Sequence, residues 1–380
     1  MAIVVQKFGG TSVNTAEKRE KVLNKVIIEK NKGHDVVVVI SAMGRKGEPY
    51  ATDTLLDLLK QIGPNPLPQT KDLLVSCGEI ISACVMAHSL EQRGYKAVAM
   101  TGFQAGIITD NNFTNANIKR INTERIKRKL EEGFIVIVAG FQGITEAGEI
   151  TTLGRGGSDT TALALGGALG AQETIIYTDV PGVAFVDPHL IPASPFMNSI
   201  DFASMYILAR AGAKVIHLRA VKTALDFQCP FYVRSSFQDG KGTLIGPKGE
   251  TYNGIYGLAV LRDVALLKLP SQKADQDVRK LAVDEMFIKE EAGGLSLVLP
   301  AEQLEAVKPA EGSVTEGVEL ITMVWDPQSG LTAGKFGTLL EQNGIPVLET
   351  FVMPAGASWL VPAVAAFQAL QVLFAYAHGE

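Results

Sequence analysis

The sequence predicts an α/β fold: a three-layer α/β/α domain around a mostly parallel sheet, followed by a smaller region of strands and helices. Three observations carry this expectation. Short β-branched runs alternate with segments of helical spacing over roughly the first 235 residues. The strands are apolar almost throughout, as in Val36–Ile40, which means cover on both faces and hence a parallel sheet clad in helices. After a polar, glycine-rich stretch the alternation changes to strand, helix, strand, strand, helix.

Strands are expected at Ile3–Phe8, Val36–Ser41, Ala97–Thr101, Phe134–Phe141, Thr174–Thr178 and Phe231–Arg234. Helices are expected at Thr15–Asn31, Leu73–Arg93, Thr123–Glu132, Thr160–Leu169, Asp201–Arg210 and Arg219–Phe227, where apolar residues recur every three or four positions. Ser235–Asn253 reads as a linker or loose hairpin. The pattern beyond it reads as two topological copies. The first has strands Ala265–Leu269, Met286–Lys289 and Leu295–Leu299 with helices Asp275–Val283 and Ala301–Val307. The second has strands Glu319–Trp325, Pro346–Phe351 and Ser358–Leu360 with helices Thr332–Asn343 and Ala363–Tyr376.

Composition narrows the function. Among 380 residues the formal net charge is −5, so no basic field favours nucleic acid. The first residues lack a charged, apolar leader, and the most apolar runs are strand-length, which argues against a membrane protein. Cys77, Cys84 and Cys229 form no CxxC pair, and the five histidines are scattered without metal-ligand spacing. A cytoplasmic location is the expectation, with no protein-bound metal.

The chemistry is expected at the carboxyl ends of the strands. The first strand runs into Lys7-Phe8-Gly9-Gly10-Thr11-Ser12, where two glycines let backbone N–H groups approach a polyphosphate and Lys7 adds a point charge. Taken alone, the segment reads equally as a glycine turn beside a surface lysine. The stretch Thr152–Thr161 turns from a strand through Gly154-Arg155-Gly156-Gly157 into a helix, with Ser158 as its expected N-cap and Asp159 in its first turn. A capped turn accounts for Ser158 but not for an arginine between glycines, which suits a bidentate clamp on a carboxylate. Tyr177-Thr178-Asp179-Val180-Pro181-Gly182 with the later Asp187-Pro188 suits a loop gripping a nucleotide. Gly212-Ala213-Lys214-Val215 brings a second lysine, and Ser76-Cys77-Gly78-Glu79 places a carboxylate at the expected head of a helix.

In this order the motifs KFGGTS, SAM (Ser41–Met43), SCGE, LGRGGSD, TDVPG and GAKVIH resemble the aspartokinases of the amino-acid kinase superfamily. Ser41–Asp53 is most similar to the monofunctional, diaminopimelate-sensitive type of spore-forming bacteria. The resemblance implies an amino-acid kinase domain over residues 1–245 and tandem ACT-like, ferredoxin-like modules over 246–380. It implies ATP-dependent phosphorylation of the L-aspartate side-chain carboxylate, the first step towards lysine, diaminopimelate, threonine and methionine. Lys7, Gly9, Gly10 and Ser12 would then hold the phosphoryl group, with Asp159 organising Lys7. Ser41, Thr52, Glu79, Phe141 and Arg155 would hold aspartate, with Gly140 beside Phe141; Arg155 would take the α-carboxylate and Glu79 the ammonium. Thr178, Asp179, Asp187 and Lys214 would hold ATP, with Mg²⁺ carried by the nucleotide phosphates.

Some positions depart from the family pattern. Ala184 stands where a tyrosine is usual and His189 where an arginine is usual, with Phe185 as the candidate to compensate; His217-Leu218-Arg219-Ala220 replaces HPRA. These departures keep a second reading open, a weakened paralogue that binds nucleotide or amino acid as a regulator. For the C-terminal modules, effector sensing (lysine, threonine or diaminopimelate, near Asp326–Gly334) and a purely structural role in a homodimer both stand.

Overall fold

The computed structural model describes residues 1–270, 287–291, 294–304 and 312–379. The chain divides into two compact units, residues 1–183 with 215–247 and residues 184–214 with 248–380.

The first unit is built on strands in the order Thr243–Gly246, Phe231–Ser235, Glu173–Thr178, Ile3–Phe8, Asp35–Ile40, Ile135–Ala139 and Ala97–Met100. All neighbours run parallel except the first two, whose antiparallel pairing makes part of the expected linker a hairpin. Both faces are covered. Val4, Phe8, Val36, Val38 and Ile40 pack against Val22, Leu23 and Val26 of the helix Ala16–Asn31 and against Met86 and Leu90 of the helix Pro68–Glu91. Val5, Val37, Val39 and Val138 are equally buried on the other face, where the helix Gly157–Leu169 lies. This double burial is why the strands lack alternation. Thr15 caps the helix Ala16–Asn31 by accepting a hydrogen bond from the Lys18 N–H.

Two elements were not expected. The helix Thr52–Ile62 follows the Ser41–Tyr50 loop, and a second sheet joins Ile118–Ile121, Ile107–Thr109, Gln142–Ile144 and Ile150–Thr152 in that order. Their three- and four-residue strands fall below the length at which a period of two can be recognised.

The helix expected from Leu73 begins at Pro68, with proline at its first turn. Among the described residues it is the one helix long and apolar enough to cross a membrane, but half of that stretch is buried and its inner face packs on the parallel sheet. Glu79 therefore lies near its middle, not at its head.

The second unit contains a six-stranded antiparallel sheet in the order Phe287–Glu291, Gly294–Pro300, Ile255–Pro270, Ser313–Trp325, Gly356–Pro362 and Glu349–Met353. Strands from both expected copies join in this one sheet, as the ACT-like reading allows. The strand expected at Ala265–Leu269 is sixteen residues long and shifts register between Leu261 and Val264, where Asp263 takes a left-handed φ of 55°. The helices Ala333–Gln342 and Ala363–His378 match the second copy and seat Phe336 against Trp325 and Trp359. The expected helix Asp275–Val283 lies outside the described residues. Of Ala301–Val307, Ala301–Gln303 form a 3-10 turn and residues 305–307 lie outside.

Candidate active site

Loops at the carboxyl ends of the parallel strands enclose a cavity of about 640 Å³ in the first unit. Lys7, Gly9, Gly10, Ser41, Thr52, Glu79, Phe141, Arg155 and Asp159 all line it, so most of the residues singled out in the sequence meet in one place. Lys7 Nζ lies 2.6 Å from Asp159 Oδ1, and both side chains are largely shielded. The strand Ile3–Phe8 delivers the lysine, and the first turn of Gly157–Leu169 delivers the aspartate.

The first two loops are fastened to each other. Ser41 N–H donates to Phe8 O and Gly44 N–H donates to Gly10 O. Gly10 approaches so closely that a Cβ there would stand 2.2 Å from Ala42 O. The Ala42 N–H in turn donates to Glu79 Oε1 at 3.0 Å, while Glu79 Oε2 is buried with no hydrogen-bond partner among the described residues. Burial pushes the Glu79 carboxyl up to about 8, against the opposing pull of backbone N–H donors from Ala42 and from its own residue.

On the far wall, Phe141 adopts a left-handed φ of 70° and its N–H donates to Thr161 Oγ1. Such strain is held only where neighbours fix it, and it marks the end of the strand Ile135–Ala139 as part of the cavity wall. The helix after the glycine loop is capped by Gly156 at φ 69°, and Ser158 sits inside the helix, buried. This corrects the expected Ser158 cap. The left-handed position demands glycine, which leaves the hydroxyl two residues late. Arg155, between left-handed Gly154 and Gly156, is exposed at the rim.

Ser12 is buried, and its Oγ lies 2.7 Å from Ser236 Oγ, so its side chain joins two loops. Thr178 donates to Asp179 Oδ1, and Asp179 lies 3.8 Å from Arg45. Neither Thr178 nor Asp179 lines the cavity. Asp187 and Lys214 belong to the second unit. There, partial burial raises the Asp187 carboxyl, but hydrogen bonds from the His189 backbone and ring outweigh it and hold the group below its usual range, with Arg262 adding to the effect. Phe185 is fully buried against Tyr252, Phe374 and His378. It is a core residue and cannot stand in for the missing tyrosine.

Sequence reasoning missed Lys71, Asp72 and Thr114, and it met Thr152 and Arg219 only within motifs, without giving either a role. Asp72, wholly buried, accepts from Thr114 N–H, Thr152 N–H and Thr152 Oγ1–H, and so ties the 110–117 loop to the strand that leads to Arg155. Arg219 donates to Asn115, Ala116 and Asn117 of the same loop and to Leu153 O. The signal was present: Pro68 marks the true helix start, and from it Lys71 and Glu79 fall on one face.

A family model described as the amino acid kinase family matches residues 2–235. The chain belongs to the amino acid kinase family. Within that family, an aspartokinase of Geobacillus stearothermophilus is 52% identical over 245 residues, 64% of this chain and 59% of the relative, so the chain spans less than two thirds of that relative's length. Aspartokinase 1 of Bacillus subtilis is 38% identical, with 92% of each chain covered. The crystal structure of E. coli aspartokinase III with aspartate and ADP superimposes with a TM-score of 0.79 at 25% identity, covering all of both chains.

Proposed function

We propose that this member of the amino acid kinase family transfers the γ-phosphoryl group of ATP to the side-chain carboxylate of L-aspartate. The observation that carries the reading is the Lys7–Asp159 pair, set in a cavity that also presents Arg155 and Glu79. A carboxylate is already a nucleophile, so the transfer requires positioning and charge neutralisation and no general base. Lys7, with the N–H groups of Gly9 and Gly10, neutralises the phosphoryl oxygens in flight, and Asp159 holds the lysine in place. Arg155 takes the acceptor's α-carboxylate and Glu79 its ammonium, with Ser41, Thr52 and Phe141 shaping the pocket. Thr178 and Asp179 serve the nucleotide, and Ser12 supports the phosphate loop. Mg²⁺ carried by the nucleotide phosphates would supply further charge neutralisation there.

Relatives at 38–52% identity named aspartokinase or aspartate kinase favour this reading over that of a weakened paralogue. The product would feed lysine, diaminopimelate, threonine and methionine synthesis. Trapping of aspartyl phosphate as the hydroxamate, on pure protein with ATP and Mg²⁺, tests the activity; absence of hydroxamate above a no-enzyme control refutes it. Three free cysteines support a reducing, cytoplasmic setting.

Glu79 gives a pH-linked expectation. With its carboxyl near 8, the unliganded site holds a proton at neutral pH, and an ammonium partner requires the ionised form. Binding of L-aspartate at pH 7 is therefore expected to release a proton from this group, read by calorimetry in buffers of different ionisation enthalpy. Glu79→Gln should abolish that release and weaken binding. A buffer-independent heat for the parent protein would show that Glu79 does not meet the ammonium. The same shift sets stability in the absence of ligand: as pH rises from the ordinary glutamate range to about 8, the unfolded chain has lost a proton that the folded chain keeps, so stability falls across that window.

The second unit exposes Val352, Val364 and Phe367 on an edge strand and a helix, which supports a homodimer through the ACT-like region. A monomer in sedimentation at micromolar concentration would count against it. An amino-acid effector, lysine among the candidates, would bind this region. E. coli aspartokinase III has been crystallised with lysine and aspartate.

A further inference from the structure

The helix Pro68–Glu91 presents Lys71, Val75 and Glu79 to the cavity, at positions i, i+4 and i+8 of one face. Asp72 and Ser76, one step round the helix, face inward. The Asp72 carboxylate is occupied by Thr114 and Thr152, and the Ser76 hydroxyl donates to Leu73 O. Lys71 is thus a cavity residue with no anion beside it on its own helix. Its ammonium makes no hydrogen bond or ion pair with any described residue. Arg155 is likewise without a hydrogen-bond or ion-pair partner among the described residues, whereas Lys7 is committed to Asp159. Thr114 and Thr152, both bonded to Asp72, line the cavity together with Lys71 and Arg155. The site therefore holds two uncommitted cations, and its ammonium-seeking acid lies two helical turns away.

Resting on the kinase reading above, we propose that Lys71 is a further acceptor-binding residue, which holds the α-carboxylate of the amino acid together with Arg155, opposite Glu79. Lys71 and Glu79 are separated by about 12 Å along the helix axis. Both residues line the cavity, so a small zwitterion lying along the helix can meet both. A mobile lysine beside a rigid guanidinium is a complementary pair, the arginine fixing orientation and the lysine adding charge from a flexible stem. The arrangement selects acceptors with a free α-carboxylate adjacent to an ammonium and disfavours those whose α-carboxyl is amidated. Asp72 acts through Lys71's neighbours and is a positioning residue, keeping Thr114 and Thr152 where the pocket needs them.

The test compares the full chain with Lys71→Met and Lys71→Arg. Loss of one charge-assisted contact should raise the aspartate KM by about tenfold to a hundredfold, leaving the ATP KM and the melting temperature as in the parent, with partial recovery in Lys71→Arg. Calorimetric binding of L-aspartate and of its α-amide gives a readout independent of turnover. The parent should prefer L-aspartate strongly, and Lys71→Met should lose much of that preference, which a purely structural lysine would not alter. An unchanged preference in Lys71→Met, or an equal rise in both KM values, overturns the proposal. A parent protein that binds aspartate with this preference but yields no acyl phosphate would instead overturn the kinase reading and leave the Lys71 assignment standing. A parent that binds no aspartate overturns both.

Discussion

Lys7→Met is expected to lower turnover by about a hundredfold to a thousandfold, the scale for losing one preorganised donor to developing charge. The ammonium sits at the end of a fully packed strand, 2.6 Å from Asp159, and it lines the cavity beside two glycines. Its orientation is therefore fixed before any phosphate arrives, which is the condition under which a charge acts more on the transition state than on the ground state. Methionine keeps most of the volume and removes the charge. The Lys7→Met variant leaves Asp159 without its partner, so Lys7→Met/Asp159→Asn serves as the stability control. The double variant should melt close to the parent, whereas Lys7→Met alone should lose stability, because it leaves the largely shielded Asp159 carboxylate without its cation. Hydroxamate formation measured under saturating ATP and aspartate decides the matter. Turnover within a few-fold of the parent would show that Lys7 is a bystander.

Gly10→Ala is expected to cost comparable activity by a different route. The added methyl carbon would stand 2.2 Å from Ala42 O and 3.0 Å from Gly44 O, both backbone atoms with no rotamer to yield. The two loops must part, and the Gly44–Gly10 hydrogen bond and the Ala42–Glu79 contact are both carried on the segment that moves. Overpacking of this kind costs about 1–3 kcal/mol of stability. A shift near 1 Å in a catalytic loop costs about a hundredfold in rate. Thermal melting and the hydroxamate assay together read the two effects. A variant with parental melting and parental turnover would mean that the loops separate without consequence. Gly9→Ala is the matched control, since its Cβ would meet only Lys7 Nζ at an ordinary 3.6 Å.

The sequence carried the parallel domain well because burial on both faces leaves a plain signature, the unbroken apolar runs at Ile3–Val5 and Val36–Ile40. The site was legible where glycine spacing constrains the backbone, around Lys7 and Arg155. Residues whose role depends on helix phase were harder to find. Starting the helix at Leu73 instead of Pro68 removed Lys71 and Asp72 from consideration and put Glu79 at a helix end. Ser158 was misplaced for a related reason: serine is the usual cap, but the left-handed turn at Gly156 took that position first. Phe185 showed the limit of local reading, because nothing beside Ala184 discloses that the ring belongs to a core formed with Tyr252 and Phe374, far along the chain. The short strands of the small sheet were invisible because three residues hold no period.

The helix Pro68–Glu91 serves two masters on adjacent faces, with Lys71, Val75 and Glu79 toward the cavity and Asp72 toward the loops behind it. Each added residue turns the helix by about 100°. A one-residue insertion or deletion between Lys71 and Glu79 would therefore swing one end of the set off the cavity while the other stayed, and no side-chain substitution could restore the register. Length variation among relatives that keep this chemistry must accordingly fall outside that eight-residue interval, whereas the identities of its outward-facing residues are free to drift.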